Sequence, residues 1–278
     1  MNTIFTYNEL RLEYEVTGTG AETLVCLHGF GRSIEDFQLF ASLLQPHQRM
    51  VAINLFAHGK SYFPAERMSK QPLSKNEWRD AIGALLDSLQ VPQFHLMGYS
   101  MGGRMAMVLM ETMPERITSL VLLAPDGLKR KLIYRFVSET KPGRMMYRYI
   151  IEKPEFLLRI VDLLRRFRLL HQKIHRFVHV QLETREKRQL VYNAWLIHRN
   201  LFPHLPVVAR CIESRKIPFA LIFGSYDRII PSRDGRKLLR HFNTSKHAVL
   251  LPLGHRLIHP STADYLKQHN WWMPQPSA

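Results

Sequence analysis

Apolar and polar positions divide this chain into segments of two kinds. Residues 10–17 alternate, with Leu10, Leu12, Tyr14 and Val16 set against Arg11, Glu13, Glu15 and Thr17. That period of two predicts a half-buried strand, which Gly18-Thr19-Gly20 turns back. Residues 23–27, 50–55, 94–97, 117–124, 219–223 and 248–251 are nearly continuous apolar runs. Runs of this length and kind predict strands covered on both faces. Helical signals lie between them. Ser33 precedes a predicted helix to about residue 44, which Pro46 closes. Ser74-Lys75-Asn76-Glu77 has the capping-box pattern, and Trp78, Ile82, Leu85, Leu86 and Leu89 then fall on one helical face. Residues 105–110 predict a helix that stops near Pro114, residues 232 to about 241 another, and a last helix starts near Pro260. The tail, residues 273–278, is expected to fray.

This alternation breaks once. From about residue 128 to residue 215 the periodicity is mostly helical. Its clearest stretch is 156–182, where Phe156, Ile160, Val161, Leu164, Phe167, Leu170, Ile174 and Phe177 recur at helical spacing among Arg159, Arg165, Arg166, Lys173 and Arg176. Strands alternating with helices, most of the strands apolar throughout, predict a mostly parallel sheet with helices on both faces. Residues 1–127 and 216–278 would form it, and 128–215 would be an insertion.

Charge changes the picture of that insertion. The chain of 278 residues carries a net charge of +16 with a pI near 10.1. Between Asp126 and Lys216 stand 21 Lys and Arg against 8 Asp and Glu, which is +13 of the +16. Such a surface would steer anionic acyl substrates, or meet anionic lipid as a peripheral contact. No nucleic-acid recognition module accompanies it, so nucleic acid is not expected as a partner. No apolar run is long enough to span a membrane, and the N-terminus lacks the pattern of a signal peptide. Two cysteines, Cys26 and Cys211, cannot build a disulfide framework. These features lead to the expectation of a cytoplasmic protein. No cluster has metal-ligand spacing and no Gly-x-Gly-x-x-Gly opens a helix, so neither metal nor cofactor is expected.

The chemistry points to one stretch. Residues 94–97 run through Gly98-Tyr99-Ser100-Met101-Gly102 into a helix. A strand, a sharp turn and a helix put a serine at the apex, with glycines two residues to either side. The N–H of Met101 lies in the first helical turn, where backbone donors lack intrahelical partners. In open parallel sheets chemistry gathers at the carboxyl ends of strands, where Ser100, His28, Asp126, Asp227 and His255 all fall.

With Leu27-His28-Gly29-Phe30-Gly31, Gly98-Tyr99-Ser100-Met101-Gly102-Gly103, Gly224-Ser225-Tyr226-Asp227-Arg228-Ile229-Ile230-Pro231 and Gly254-His255 in this order, the sequence resembles the α/β-hydrolase superfamily, in its version with a helical cap after the sixth core strand. The resemblance implies an eight-stranded, mostly parallel sheet with residues 128–215 as the cap. It implies that Ser100 attacks an acyl carbon, His255 serves as base and acid, and Asp227 orients the imidazole, with Asp126 as the rival acid. It implies an oxyanion hole from the N–H groups of Phe30 and Met101, and a site lined by His28, Tyr99 and Arg104. The expected activity is cleavage of a carboxylic ester or thioester, with anionic and lipid-like acyl groups both open. The run ending in Arg104 also resembles that of the menaquinone-pathway synthase, a lyase that eliminates pyruvate and in which the matching arginine binds an anionic substrate. A membrane-surface or partner-binding protein on the same scaffold is the third reading. One segment departs from the superfamily pattern Asp-x-x-Gly-x-Gly-x-Ser. Here it is Asn54-Leu55-Phe56-Ala57-His58-Gly59-Lys60-Ser61, with Asn for the acid and Ala for the first glycine.

Overall fold

The computed structural model describes residues 2–243 and 247–269. Eight strands, β1 (Thr3–Tyr7), β2 (Leu10–Gly18), β3 (Glu22–Leu27), β4 (Gln48–Ile53), β5 (Phe94–Tyr99), β6 (Ile117–Leu123), β7 (Phe219–Gly224) and β8 (Val249–Leu251), form one sheet in the order β1-β2-β4-β3-β5-β6-β7-β8. β1 pairs antiparallel with β2 and β2 antiparallel with β4, and every later pairing is parallel. The helices are α1 (Gln38–Ala41), α2 (Ala65–Lys70), α3 (Lys75–Ser88), α4 (Met101–Thr112), α5 (Leu132–Glu139), α6 (Lys141–Glu152), α7 (Glu155–Arg166), α8 (Gln172–Leu182), α9 (Arg185–Ile197), α10 (Leu205–Ser214), α11 (Arg236–Leu239) and α12 (Pro260–His269). This is the α/β architecture that the hydrophobic pattern implies, with the eight strands that the resemblance implies.

The chain divides into two compact units. The first holds residues 1–64, 74–129 and 201–278, the second residues 65–73 and 130–200. The expected insertion ran from 128 to 215. In the structure α10 belongs to the first unit, and its buried Val208, Ala209 and Ile212 follow from that. The second unit also takes in the segment of α2, where the Arg199 guanidinium donates to the carbonyls of Met68 and Ser69.

In the first unit β3, β5 and β6 are buried almost throughout, as strands covered on both faces must be. The N-cap forms: Ser74 Oγ accepts from the Glu77 N–H at 3.1 Å, and Trp78, Ile82, Leu85 and Leu86 behind it are fully buried. One strand is added, and two helical segments differ from the sequence pattern. β1 carried no clear sequence signal, and its residues alternate only between half-buried and exposed. The helix after Ser33 is a 3-10 turn (Ile34–Phe37) leading into the four-residue α1, with no side-chain cap from Ser33. The helical periodicity of 156–182 is carried by two helices, because the chain after α7 turns left-handed at Arg168 and restarts at His171, whose Nδ1 accepts from Lys173 N. The expected fraying of 273–278 lies outside the described residues.

Candidate active site

Ser100 sits between the last residue of β5 and the first of α4, at φ 52° and ψ −113°. A non-glycine residue there is strained by about 1–3 kcal/mol. The surroundings hold it: Ser100 N donates to Leu123 O at 2.9 Å, and Asp126 N donates to Ser100 O at 2.8 Å. The flanking glycines are required by close approach. A Cβ on Gly98 would meet Gly102 O at 2.6 Å, and one on Gly102 would meet Leu27 O at 2.0 Å. Any side chain at 102 would therefore drive α4 away from the end of β3.

The imidazole and the acid come from the two strands that end the sheet. Gly224 closes β7, and a Cβ there would meet Gly254 O at 2.1 Å. Its bare backbone lets the loop after β8 lie against the loop after β7, and Ser225 N and Tyr226 N donate to Leu251 O and Leu253 O. This brings residues 28 positions apart together. His255 Nδ1 lies 2.7 Å from Asp227 Oδ2, and His255 Nε2 lies 3.1 Å from Ser100 Oγ. With the acid accepting, Nδ1 carries the ring hydrogen and Nε2 is left to accept from the serine hydroxyl. The other Asp227 oxygen accepts from the N–H groups of Ile229 and Ile230, at 2.8 and 3.0 Å. The Asp227 side chain is wholly buried and that of His255 is 18% exposed. Ser100, Asp227 and His255 are thus brought into one hydrogen-bonded chain.

Asp126, the rival acid, is elsewhere. Its carboxyl oxygen lies 3.6 Å from Arg104 Nε, while the Arg104 guanidinium stacks over the Phe202 ring at 4.7 Å. Arg104 is only 2% exposed. The expectation that it lines a substrate site thus falls on a side chain enclosed by the fold and set beside Asp126 and Phe202. Tyr99 is likewise buried, and burial raises its phenol well above the ordinary range. Its hydroxyl donates to the His255 carbonyl at 3.0 Å, so it braces the imidazole's backbone.

His28 is fully buried, and both its ring nitrogens are taken by backbone: Nδ1 donates to Gly29 O at 2.7 Å, and Nε2 accepts from Leu55 N at 3.0 Å. It ties the 28–31 turn to the start of the 54–61 segment. A second histidine does the same. His58 Nε2 accepts from Gly31 N at 2.9 Å, and its ring meets the Phe30 ring edge-on at 5.5 Å. Burial depresses its pKa from 6.5 to about 4, so it stays neutral and keeps an acceptor for Gly31. The turn so held lies against the serine, since a Cβ on Gly29 would come within 3.2 Å of Ser100 Cβ. Phe30 and Met101, the expected oxyanion donors, thus stand on the two segments that flank Ser100.

Behind His58 lies a network that the strand pattern did not reveal. Glu13 is buried although its position in β2 predicts an exposed face. Burial alone would raise its carboxyl, but hydrogen bonds from Lys60 N, Asn54 Nδ2 and Asn2 outweigh it and hold the group below its usual range. Asn54 is the residue that replaces the superfamily acid. Its amide donates to Glu13 at 2.8 Å and its oxygen accepts from Ile34 N at 3.1 Å. An acid at 54 would confront a second acid. Gly59 must be glycine here: it has φ 52°, and a Cβ would meet both Asn54 Nδ2 and Glu13 Oε2 at 2.2 Å. The signal in the sequence was the departure itself, Asn54 paired with an apparently outward Glu13.

One other cluster lies in the second unit. His175 and His179, a turn apart on α8, both point Nε2 at Asp162 Oδ1 of α7, at 2.7 and 2.8 Å. Their ligand atoms all lie within 4.8 Å of one another, close enough to hold a divalent cation. Sequence spacing missed the set because the acid comes from another helix.

A serine at a strand–helix apex, answered by a histidine and an acid from later strand ends of a mostly parallel sheet, defines a site of the α/β-hydrolase type. The chain belongs to that fold family, which matches residues 22–260. It is similar to a Bacillus subtilis (strain 168) protein provisionally named 2-succinyl-6-hydroxy-2,4-cyclohexadiene-1-carboxylate synthase, at 33% identity over 42% of this chain and 43% of the relative. It is similar to a Pseudomonas putida 2-hydroxy-6-oxononadienedioate/2-hydroxy-6-oxononatrienedioate hydrolase at 25% identity, over 89% of this chain and 86% of the relative. An α/β-hydrolase enzyme from a Medee basin deep-sea metagenome library has the same fold, with a TM-score of 0.69 at 16% identity, covering 99% of both chains. The chain spans between 30% and 43% of the length of several curated relatives it matches.

Proposed function

We propose that the protein is a serine hydrolase that cleaves a carboxylic ester or thioester through an acyl-enzyme. The single observation that carries this reading is the unbroken chain from Ser100 Oγ through the His255 ring to Asp227, at 3.1 and 2.7 Å. A serine hydroxyl is a poor nucleophile at neutral pH until a base takes its proton. His255 Nε2 takes it as Ser100 Oγ attacks the acyl carbon. Asp227 accepts from Nδ1 and stabilises the imidazolium that forms. The carbonyl oxygen gains charge in the tetrahedral state. The N–H groups of Phe30 and Met101 supply donors for it, each worth about 10²–10³ in turnover. His255 then protonates the departing alcohol or thiol. Water, activated by the same ring, releases the acid and restores Ser100. No step calls for a cofactor or metal.

The similarity to the Bacillus subtilis synthase supports a second reading, a lyase that eliminates pyruvate with the same three residues. That reading needs Arg104 as an anion-binding group. Its burial and its pairing with Asp126 weigh against it.

The deciding experiment is a panel of nitrophenyl esters of increasing acyl length, run on the wild type and Ser100→Ala. Turnover that vanishes in the variant, with one preferred length, supports the esterase. Absence of turnover on every ester, with pyruvate released from the synthase's intermediate, replaces it with the lyase.

A further inference from the structure

Helix α7 of the second unit inverts the usual arrangement of an amphipathic helix. In α7, Phe156, Ile160, Leu163 and Leu164 recur at i, i+4, i+7 and i+8, and Phe167 follows at i+11. At 3.6 residues per turn this is one face. A helix of a monomeric domain turns such a face inward. Here Val161 is the only fully buried residue of α7, while Phe156 is 71% exposed, Leu163 52% and Phe167 65%. Of the 19 large apolar side chains that stay exposed among the described residues, 14 lie between Leu132 and Val180.

Cations stand around that stripe. Residues 130–200 hold 17 Lys and Arg against 6 Asp and Glu. Arg159 and Arg166 are exposed on α7 itself, and Arg148 and Lys153 on the neighbouring segment. Arg168 adds a separate observation. The end of α7 is a Schellman turn: Leu169 N donates to Leu164 O, and Arg168 N to Arg165 O. The left-handed position of that turn, which glycine occupies without strain, holds Arg168 at φ 59°. A cation is kept where the backbone favours glycine.

We propose that this face of the second unit docks on an anionic lipid bilayer. The apolar stripe of α7 enters the acyl boundary, and the arginines beside it reach the headgroup phosphates, their aliphatic stems lying along the boundary. Charge complementarity selects this occupant. A second copy of the chain would bring the same excess of positive charge against itself. The centre of the face is largely aliphatic, which suits acyl chains and offers nucleic-acid bases little to stack on. The inference is independent of the proposed chemistry at Ser100.

The test is co-sedimentation of the whole protein with vesicles of phosphatidylcholine alone and of phosphatidylcholine mixed with phosphatidylglycerol, at low and high salt. Binding is expected on the anionic vesicles and is weakened by salt. Each cation reversed, in Arg159→Glu or Arg166→Glu, lowers the partition by about fivefold or more. Leu163→Asp with Phe167→Asp abolishes it, while the thermal midpoint and the turnover of a soluble nitrophenyl ester stay at wild-type values. Ser100→Ala binds as the wild type does, which separates this proposal from that of the hydrolase. Absence of binding at low salt overturns it, as does equal binding to neutral vesicles. A fall in thermal stability in the double Asp variant would show the stripe to be packed, and would also overturn it. So would a dimer that this variant disperses, or an RNA oligonucleotide held more tightly than the vesicles and indifferent to Leu163→Asp.

Discussion

Helices α3 and α7 are built on one plan and used in opposite ways. Each runs 12 to 14 residues, and each carries an apolar stripe at helical spacing beside a charged flank. In α3 the stripe of Trp78, Ile82, Leu85 and Leu86 is wholly buried, and the Trp78 indole N–H finds the Met105 carbonyl at 3.3 Å. In α7 the stripe stays exposed, from Leu164 at 38% to Phe156 at 71%. Sequence periodicity reports only that a helix has an apolar side. It does not say whether protein, lipid or another chain covers that side. The cations within α7's own unit, which α3's surroundings lack in such density, carry that further information.

The largest effect expected concerns the chemistry and is confined to the first unit. Asp227→Asn keeps an oxygen to accept from Ile229 N and Ile230 N, so the loop should fold. The amide nitrogen then faces His255 Nδ1, which forces the other tautomer and leaves Nε2 protonated. Ester turnover should fall by about 10⁴-fold with little change in KM. Leu163→Asp, on the stripe of α7, should leave turnover on the same soluble ester untouched. Equal losses in the two variants would show that the division of labour drawn here is false.

Packing is the next contrast. Leu85→Ala, in the buried stripe of α3, should cost about 3 kcal/mol in urea unfolding, from lost transfer energy and the cavity left behind. Leu163→Ala should change stability by less than about 0.5 kcal/mol, because solvent already reaches that side chain. Similar losses at the two leucines would mean that α7 buries its stripe.

A comparable effect is expected from acid, and it belongs to His58. Its folded pKa, about 4, lies below the ordinary 6.5. The unfolded chain therefore takes up the proton first. The stabilisation is complete above pH 6.5 and is lost as pH falls toward 4, by about 3 kcal/mol in all. Thermal midpoints measured across that range should fall, and His58→Asn should flatten the slope. A wild-type profile that is level from pH 7 to pH 4 would show that the His58–Gly31 contact does not depend on a neutral ring.

How much of this was legible beforehand depended on whether the signal was local. The doubly covered strands β3, β5 and β6 read clearly, because burial on both faces admits only apolar residues. Ser74 and Glu77 marked the start of α3 through adjacent backbone contacts alone. Ser100, Asp227 and His255 could be named from their motifs, but the contact between Gly224 and the 253–254 backbone that brings two of them together could not. Partners set in three dimensions were not legible. Tyr99 and His28 stand beside the motif residues, but their bonds to the carbonyls of His255 and Gly29 and to the Leu55 N–H could not be read from spacing. Glu13 was placed on the outer face of β2 by alternation, because its partner Asn54 is 41 residues away. The break between α7 and α8 was hidden because the apolar spacing carries on across the turn at Arg168.

The smallest effect separates the two units most finely. Ala57 and Arg168 both hold left-handed backbone, at φ 70° and 59°. Ala57 stands where the superfamily segment has its first glycine, in the turn that carries His58, and Arg168 ends α7. Glycine at either position relieves about 1 kcal/mol of steric strain and returns part of it through the greater freedom of the unfolded chain. Ala57→Gly and Arg168→Gly should therefore each raise stability by about 0.5 kcal/mol, a thermal midpoint higher by about 1–2 °C. On stability alone the two changes are equivalent. They part on vesicles: Ala57→Gly should bind as the wild type does, and Arg168→Gly should bind about fivefold less tightly while being the more stable protein. A variant that gains stability and loses lipid would show that the arginine is kept for what it meets outside the fold. If Arg168→Gly kept its full affinity, the strained cation at the end of α7 would have no part in docking.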